Sequence, residues 1–308
     1  MKILLSTRGL CRNFGPIKAL DMVDLDLHEG EVHGLFGANG AGKSTFIRVV
    51  TGIIPPVSGS IDLMGIDVVS DPVGSREYAT TIVEIPKLYQ NMNLYELLRF
   101  YCQFSGMEDS AVDDRILEAV DITGCSDIAF KKFGKMSLGQ QHRAEVARAI
   151  ATARNILFMD EPFIGIDITT KMNLKRFFSE WVRNEPDRAV LFTSHNLLEN
   201  EGFVNRLSFI ENGRIVESNR IDHFRRKYLK PRYSIEVDDV AGGIIALQNM
   251  NGIRIEKFEG DIIFIEISGD ARVMDVNLRL AEREIGVLQM TRIGSMEDVF
   301  TAVSEVKV

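Results

Sequence analysis

Residues 37–45 read GANGAGKST, set between the apolar run VHGLF and the segment FIRVV. The pattern G-x-x-x-x-G-K-[ST] is met by Gly37, Gly42, Lys43 and Ser44. Val32 to Phe36 reads as a short buried strand and Ser44 to Val50 as a helix closed by Gly52. The glycines then occupy a strand-to-helix turn, where backbone N–H groups converge and a phosphate fits. Lys43 would contact the β- and γ-phosphates, and the Ser44 hydroxyl would ligate Mg²⁺. The competing reading is an ordinary glycine turn.

Kinases, motors, GTP switches and transport ATPases share such a loop, so the residues downstream of it decide between them. In NILFMDEP, residues 155–162, four consecutive apolar residues have the look of a strand buried on both faces of a parallel sheet. Asp160 comes at its carboxyl end, where ligands sit in such sheets, and would position Mg²⁺, with Glu161 polarising the attacking water. A solvated strand end is the bland alternative. A second run, AVLFT at 189–193, ends in Ser194 and His195, 35 residues after Asp160. There the imidazole could reach a γ-phosphate or hold the water near Glu161. In KMSLGQQHRAEVARAIA, residues 135–151, Ser137 and Gly139 precede an amphipathic helix whose first N–H groups form another anion site. A chain with one nucleotide loop does not obviously need a second.

The segment M-S-L-G-Q-Q-H-R resembles the signature L-S-G-G-Q-x-x-R of ABC transporter ATP-binding subunits. In that family the signature of one subunit closes on the γ-phosphate held by the loop of its partner, which explains the spare anion site. The resemblance covers about residues 1–220, with five motifs in the family's order. It implies that Phe14 stacks on adenine, although a core phenylalanine is the alternative. It further implies that the loop from Gly37 to Thr45, including Asn39, Gly40 and Gly42, cradles ATP. Ser137, Gly139 and Gln140 would belong to the signature, Asp160 and Glu161 to the acidic pair, and His195 to the switch. GID at 165–167 looks like the loop that touches the opposite subunit, with Asp167 at its acidic position. Three departures stand out. Leu138 replaces the first signature glycine; Phe163 and Ile164 replace small polar residues, making that part of the cross-subunit contact more apolar. Glu84, in TIVEIPKLYQNMNLYELL, replaces a glutamine; it could still ligate Mg²⁺ but donates no hydrogen bond. Glutamate here, with S-L-G in the signature, resembles the bacitracin-resistance and lantibiotic-immunity branch of exporters.

The chain has 308 residues, more than one core usually organises, which predicts two domains, and its 45% apolar and 26% charged residues make a soluble globular composition. A formal charge of −8 argues against nucleic acid as a partner. No apolar run approaches the roughly 18 residues of a membrane span, and Arg8 interrupts the start too early for a signal peptide. Cys11, Cys102 and Cys125 form no C-x-x-C pair and read as free thiols. The fold expected is an α/β P-loop NTPase core over 1–220, with a helical subdomain at about 86–150 carrying the apolar spacings Leu94, Leu97, Leu98, Tyr101 and Val112, Ile116, Leu117, Val120. A solvated linker helix follows at 221–232. From Tyr233 to residue 308 the pattern βαββαβ, with a final helix capped by Ser295, predicts a small α+β ferredoxin-like domain.

Together these readings imply an ATPase that dimerises around two Mg-ATP molecules and drives export through separately encoded transmembrane permease subunits, at the cytoplasmic face of the membrane. A DNA-repair relative would need a coiled-coil or zinc insertion within the cassette, and a translation-associated one usually has two cassettes in tandem. A nucleotide-sensing module without turnover stays open on sequence alone.

Overall fold

The computed structural model describes residues 2–82, 90–200, 202–228 and 231–293. It divides into two compact units, Met1–Ile221 and Asp222–Val308. The first unit opens with β1 (Ile3–Phe14), β2 (Ile17–His28), β3 (Val32–Phe36), α1 (Lys43–Val50), β4 (Ser58–Leu63), β5 (Ile66–Asp67), the short α2 (Pro72–Ser75) and β6 (Ala79–Ile82). Helices α3 (Leu94–Phe104), α4 (Asp109–Ile122) and α5 (Leu138–Ala151) come next, then β7 (Ile156–Met159), α6 (Ile168–Asn184), β8 (Ala189–Ser194), β9 (Arg206–Glu211) and β10 (Arg214–Arg220).

Strands β3, β7 and β8 are buried at every position, as their uninterrupted apolar runs require. They lie in a six-stranded sheet of order β10-β9-β3-β8-β7-β6, parallel from β9 to β6 with β10 antiparallel at one edge. Phe36 pairs with Ser194 and Met159 with Phe192, so the carboxyl ends of β3, β8 and β7 emerge side by side. The longer strands β1 and β2 pair in a second, antiparallel sheet of order β2-β1-β4-β5. Leu4, Leu5, Leu20 and Leu27 of that sheet share a core with Leu35, Phe46, Ile47 and Val50, which anchors β3 and α1 from both ends of the glycine loop.

Helices α3, α4 and α5 pack on one another. Asn93 and Glu96 close a reciprocal cap at the start of α3, which fixes where that helix begins. Leu94, Leu97, Leu98, Val112, Ile116 and Val120 are buried as the spacing predicts, whereas Leu117 is 63% exposed, being one step off the buried stripe of α4. Phe163 also departs from expectation. It is buried, with ring centroids 5.8 Å from Phe192 and 5.7 Å from Phe203, so of the two apolar replacements only Ile164 remains on the surface.

Helix α7 (Ile221–Tyr228) is not a fully solvated linker, because Ile221 and Phe224 are buried and only its remaining positions face water. Beyond it come β11 (Arg232–Val237), α8 (Val240–Gln248), β12 (Ile253–Glu259), β13 (Ile262–Ile267), α9 (Val273–Ala281) and β14 (Val287–Ile293). The strand order is β12-β13-β11-β14 with every pair antiparallel, the ferredoxin-like arrangement of a βαββαβ chain. Ile235, Val237, Leu247, Ile263, Ile265, Val276 and Leu280 give this unit its own core. The helix expected from Ser295 lies outside the described residues.

His33 lies in the centre of the first unit's packing, fully buried in β3, with Nε2 2.7 Å from the Ser208 hydroxyl. Burial first, then the charges of Arg206 and His28, push its pKa from 6.5 down to about 3. The unfolded chain therefore takes up a proton below pH 6.5 that the folded chain refuses until about pH 3. Stability present above pH 6.5 is lost as the pH falls through that window, by about 1.4 kcal/mol per pH unit. His33→Gln should flatten this dependence by close to one proton, read from urea unfolding at a series of pH values; an unchanged slope would place the acid sensitivity elsewhere.

Candidate functional site

The loop after β3 holds its shape because two of its glycines admit no side chain. A Cβ on Gly37 would lie 2.3 Å from the Ile210 carbonyl oxygen, and one on Gly42, at φ 113°, would lie 2.5 Å from that of Ala19. The backbone thereby turns directly into α1, whose first residue is Lys43. The Lys43 ammonium donates to the carbonyls of Gly37 at 2.8 Å and Ala38 at 3.1 Å. It is only 6% exposed, and burial lowers its pKa against the opposing pull of Glu161 and Asp160. Glu161 Oε1 stands 3.8 Å from Lys43 Nζ. Both residues line a cleft of about 340 Å³, together with Asn39, Gly40, Gly42, Ser44 and Thr45 of the loop and with Ile17 to Ala19 and Asn212.

The acidic pair follows β7. The Asp160 amide donates to the Ile82 carbonyl at 2.7 Å, tying the strand end to β6. Glu161 takes φ 47°, a left-handed conformation that a non-glycine residue adopts at a cost of about 1–3 kcal/mol and that often marks functional sites. Thr193, buried at the end of β8, bridges the two residues: its hydroxyl donates to Asp160 Oδ1 at 2.5 Å and accepts from the Glu161 amide at 3.0 Å. In the sequence Thr193 is indistinguishable from the apolar run it closes. A hydroxyl in a fully buried strand next to the acid pair is the one available clue. His195 Nδ1 lies 3.0 Å from Glu161 Oε1, so the Lys43, Glu161 and His195 side chains meet.

Phe14 is 46% exposed, with the Arg12 guanidinium 4.9 Å from its ring centre, which excludes a core role. It stands at the end of β1, but the residues of this hairpin that line the cleft are Ile17, Lys18 and Ala19, with Ile17 67% exposed. Ile17 and Lys18 are therefore cleft residues that motif matching does not reach. Ser137, Gly139 and Gln140 are not among the residues lining the loop cleft of their own chain. Ser137 Oγ accepts from the Gln140 amide at 3.3 Å and Gln140 Oε1 accepts from the Ser137 amide at 3.1 Å, a reciprocal cap on α5. Lys131 Nζ donates to the same Gln140 oxygen at 2.9 Å, so that oxygen is already occupied within the chain. Asp167 caps α6 by accepting from the Thr170 amide at 3.0 Å, and this bond holds its carboxyl below the usual range. Glu84 lies outside the described residues.

Residues 20–164 match the sequence profile described as ABC transporter. The bacitracin transport ATP-binding protein BcrA of Bacillus licheniformis is 28% identical over 304 residues, 97% of each chain. The methionine import ATP-binding protein MetN of Carboxydothermus hydrogenoformans is 25% identical over 295 residues, 92% of this chain and 86% of its own. Among solved structures, an ATP-binding subunit of an ABC transporter superposes with a TM-score of 0.68 at 25% identity, covering 73% of this chain and 93% of that one.

One intrachain contact of the signature can be tested directly. A Cβ on Gly139 would lie 2.7 Å from the Gly165 carbonyl oxygen, so the α5 start and the GID loop touch backbone to backbone. Gly139→Ala must push that loop away and should destabilise the protein by about 1–3 kcal/mol, the usual range for overpacking. Urea unfolding would detect it; wild-type stability would show that the loop yields freely.

Proposed function

We propose an assignment for this chain from one premise: it belongs to the ABC transporter family, as an ATP-hydrolysing subunit. In this reading two copies, or one copy and a related subunit, close around two Mg-ATP molecules. The closure drives export through separately encoded transmembrane permease subunits at the cytoplasmic face of the membrane. Among the described residues no helix is long and apolar enough to cross a membrane, and the permease would supply the path. Similarity to BcrA over 97% of both chains supports kinship with antibiotic transport, and Glu84 together with S-L-G in the signature favours export. MetN, named for import, is the counterweight.

The observation that carries the chemistry is the Glu161 carboxylate set between Lys43 and His195. Lys43 exchanges its loop carbonyls for the γ-phosphate and neutralises it. Glu161 takes the proton of the attacking water, and His195, hydrogen-bonded to Glu161, orients that water and the phosphate. For the cation, the Ser44 hydroxyl and Asp160 carboxylate are hard oxygen donors. Among the described residues no group of three or more His, Cys, Asp or Glu could hold a metal unaided. That donor set fits Mg²⁺, which keeps waters and takes substrate phosphates as ligands; Glu84 is proposed as a further contact. Mg²⁺ when bound supplies charge neutralisation on the β- and γ-phosphates.

Glu161→Gln keeps size but removes the base, and turnover should fall roughly 10²- to 10⁴-fold while ATP binding survives. Steady-state phosphate release at wild-type rate would remove Glu161 from the mechanism. The two-chain site has its own test. Lys43→Ala and Ser137→Arg should each be inactive alone, yet mixed dimers should regain about a quarter of wild-type sites. Half of randomly formed dimers are mixed, and each mixed dimer has one intact site. Failure to complement in dimers shown to have mixed, together with activity in Ser137→Arg alone, would place the whole site within one chain.

A further inference from the structure

The Thr193 hydroxyl has a single proton, and its direction is settled by its neighbours. A carboxylate oxygen accepts and a backbone amide donates, so the proton goes to Asp160 Oδ1 and a lone pair receives the Glu161 N–H. One buried side chain thus orients the side chain of one acidic residue and the backbone of the next. Its place follows from the sheet: Met159 pairs with Phe192, so the residues that continue the two strands, Asp160 and Thr193, lie side by side. Thr193 is 0% exposed, and no bulk water reaches the hydroxyl to compete for either bond. The next residue, Ser194, accepts from the Asn196 amide at 3.1 Å, shaping the turn that carries His195.

We propose that Thr193 is a positioning residue for hydrolysis, its hydroxyl setting the Asp160 carboxylate for the cation and fixing the Glu161 peptide so that its carboxylate meets His195 and Lys43. A hydroxyl that merely satisfied a buried amide would need only the bond from Glu161. The second bond, to Asp160, couples it to metal binding. The inference rests on the nucleotide-site reading above, in which Asp160 faces the cation. Thr193 itself touches neither substrate nor metal, and it acts through the two residues it holds.

The test separates metal affinity from nucleotide affinity in the full-length protein. Mn²⁺ binding in the presence of a non-hydrolysable ATP analogue is titrated by electron paramagnetic resonance, and a fluorescent ATP analogue is titrated in EDTA. Thr193→Val keeps the shape and deletes both bonds; Mn²⁺ affinity should fall about 10- to 100-fold, as for other partners of metal ligands, with metal-free nucleotide affinity unchanged. Thr193→Ser, which keeps the hydroxyl, should restore it. Should the valine variant not fold, Thr193→Cys, with only a weak S–H donor, is read the same way. Wild-type Mn²⁺ affinity in the folded variant, or a loss that serine does not repair, would overturn the role of Thr193 alone. Absence of nucleotide-dependent Mn²⁺ binding in the wild-type protein would instead sink the reading of the site itself.

Discussion

A strand buried on both faces has no room for chemistry along its length, so functional side chains collect where it ends. In this protein three such strands, β3, β7 and β8, run parallel and in register, and that alignment is what assembles the site. The glycine loop begins one residue after β3, Asp160 one residue after β7, and His195 one residue after β8. Reversing any one strand would send its loop to the opposite edge. The single antiparallel strand of this sheet, β10, is accordingly at the rim, separated from β8 by β9 and β3.

Once the ends are gathered, the site has to keep an ammonium and two carboxylates close together in a partly buried place. A buried ammonium is tolerated only with hydrogen-bond acceptors around it, and the carbonyls of Gly37 and Ala38 meet that need for Lys43. The glycines that let the loop expose those carbonyls also leave no bulk above α1, so the helix N-terminus faces the cleft. On the opposite wall, the left-handed backbone of Glu161 turns its carboxylate away from the direction the strand would have given it, and the Thr193 hydrogen bond offsets part of that strain.

Much of this is legible because it is written in consecutive residues. GANGAGKST, FMDEP and the run ending in Ser194 and His195 each carry both a strand and the reactive residues at its end, and the apolar blocks of the last 76 residues carry the βαββαβ order. The features that escape are tertiary. Whether Phe163 faces the core or a partner depends on Phe192 and Phe203, which are distant in sequence. Leu117 satisfies the helical spacing of α4 yet falls outside its buried stripe, since α4 meets its neighbours over fewer positions than the pattern offers. Thr193 shows in the sequence only as a hydroxyl closing an apolar run, and its partners across the sheet are not written beside it. Ile17 lines the cleft only because the β1–β2 hairpin folds back towards the loop, a fact no motif contains.

The leucine in the signature can be judged by the same accounting of backbone groups. The reciprocal cap on α5 uses the amides of Ser137 and Gln140. The amides left without an intrahelical partner by helix geometry are then those of Leu138 and Gly139, the first two residues of the helix. Both are backbone donors, and both exist whether position 138 is leucine or glycine. The leucine side chain is 64% exposed and so lies outside the packing that holds the α5 start. Gly139 is different, because its missing side chain lets the Gly165 carbonyl approach. Of the two signature positions next to Ser137, the second therefore carries the steric requirement, and the first can change to leucine with the backbone amides of the helix start intact.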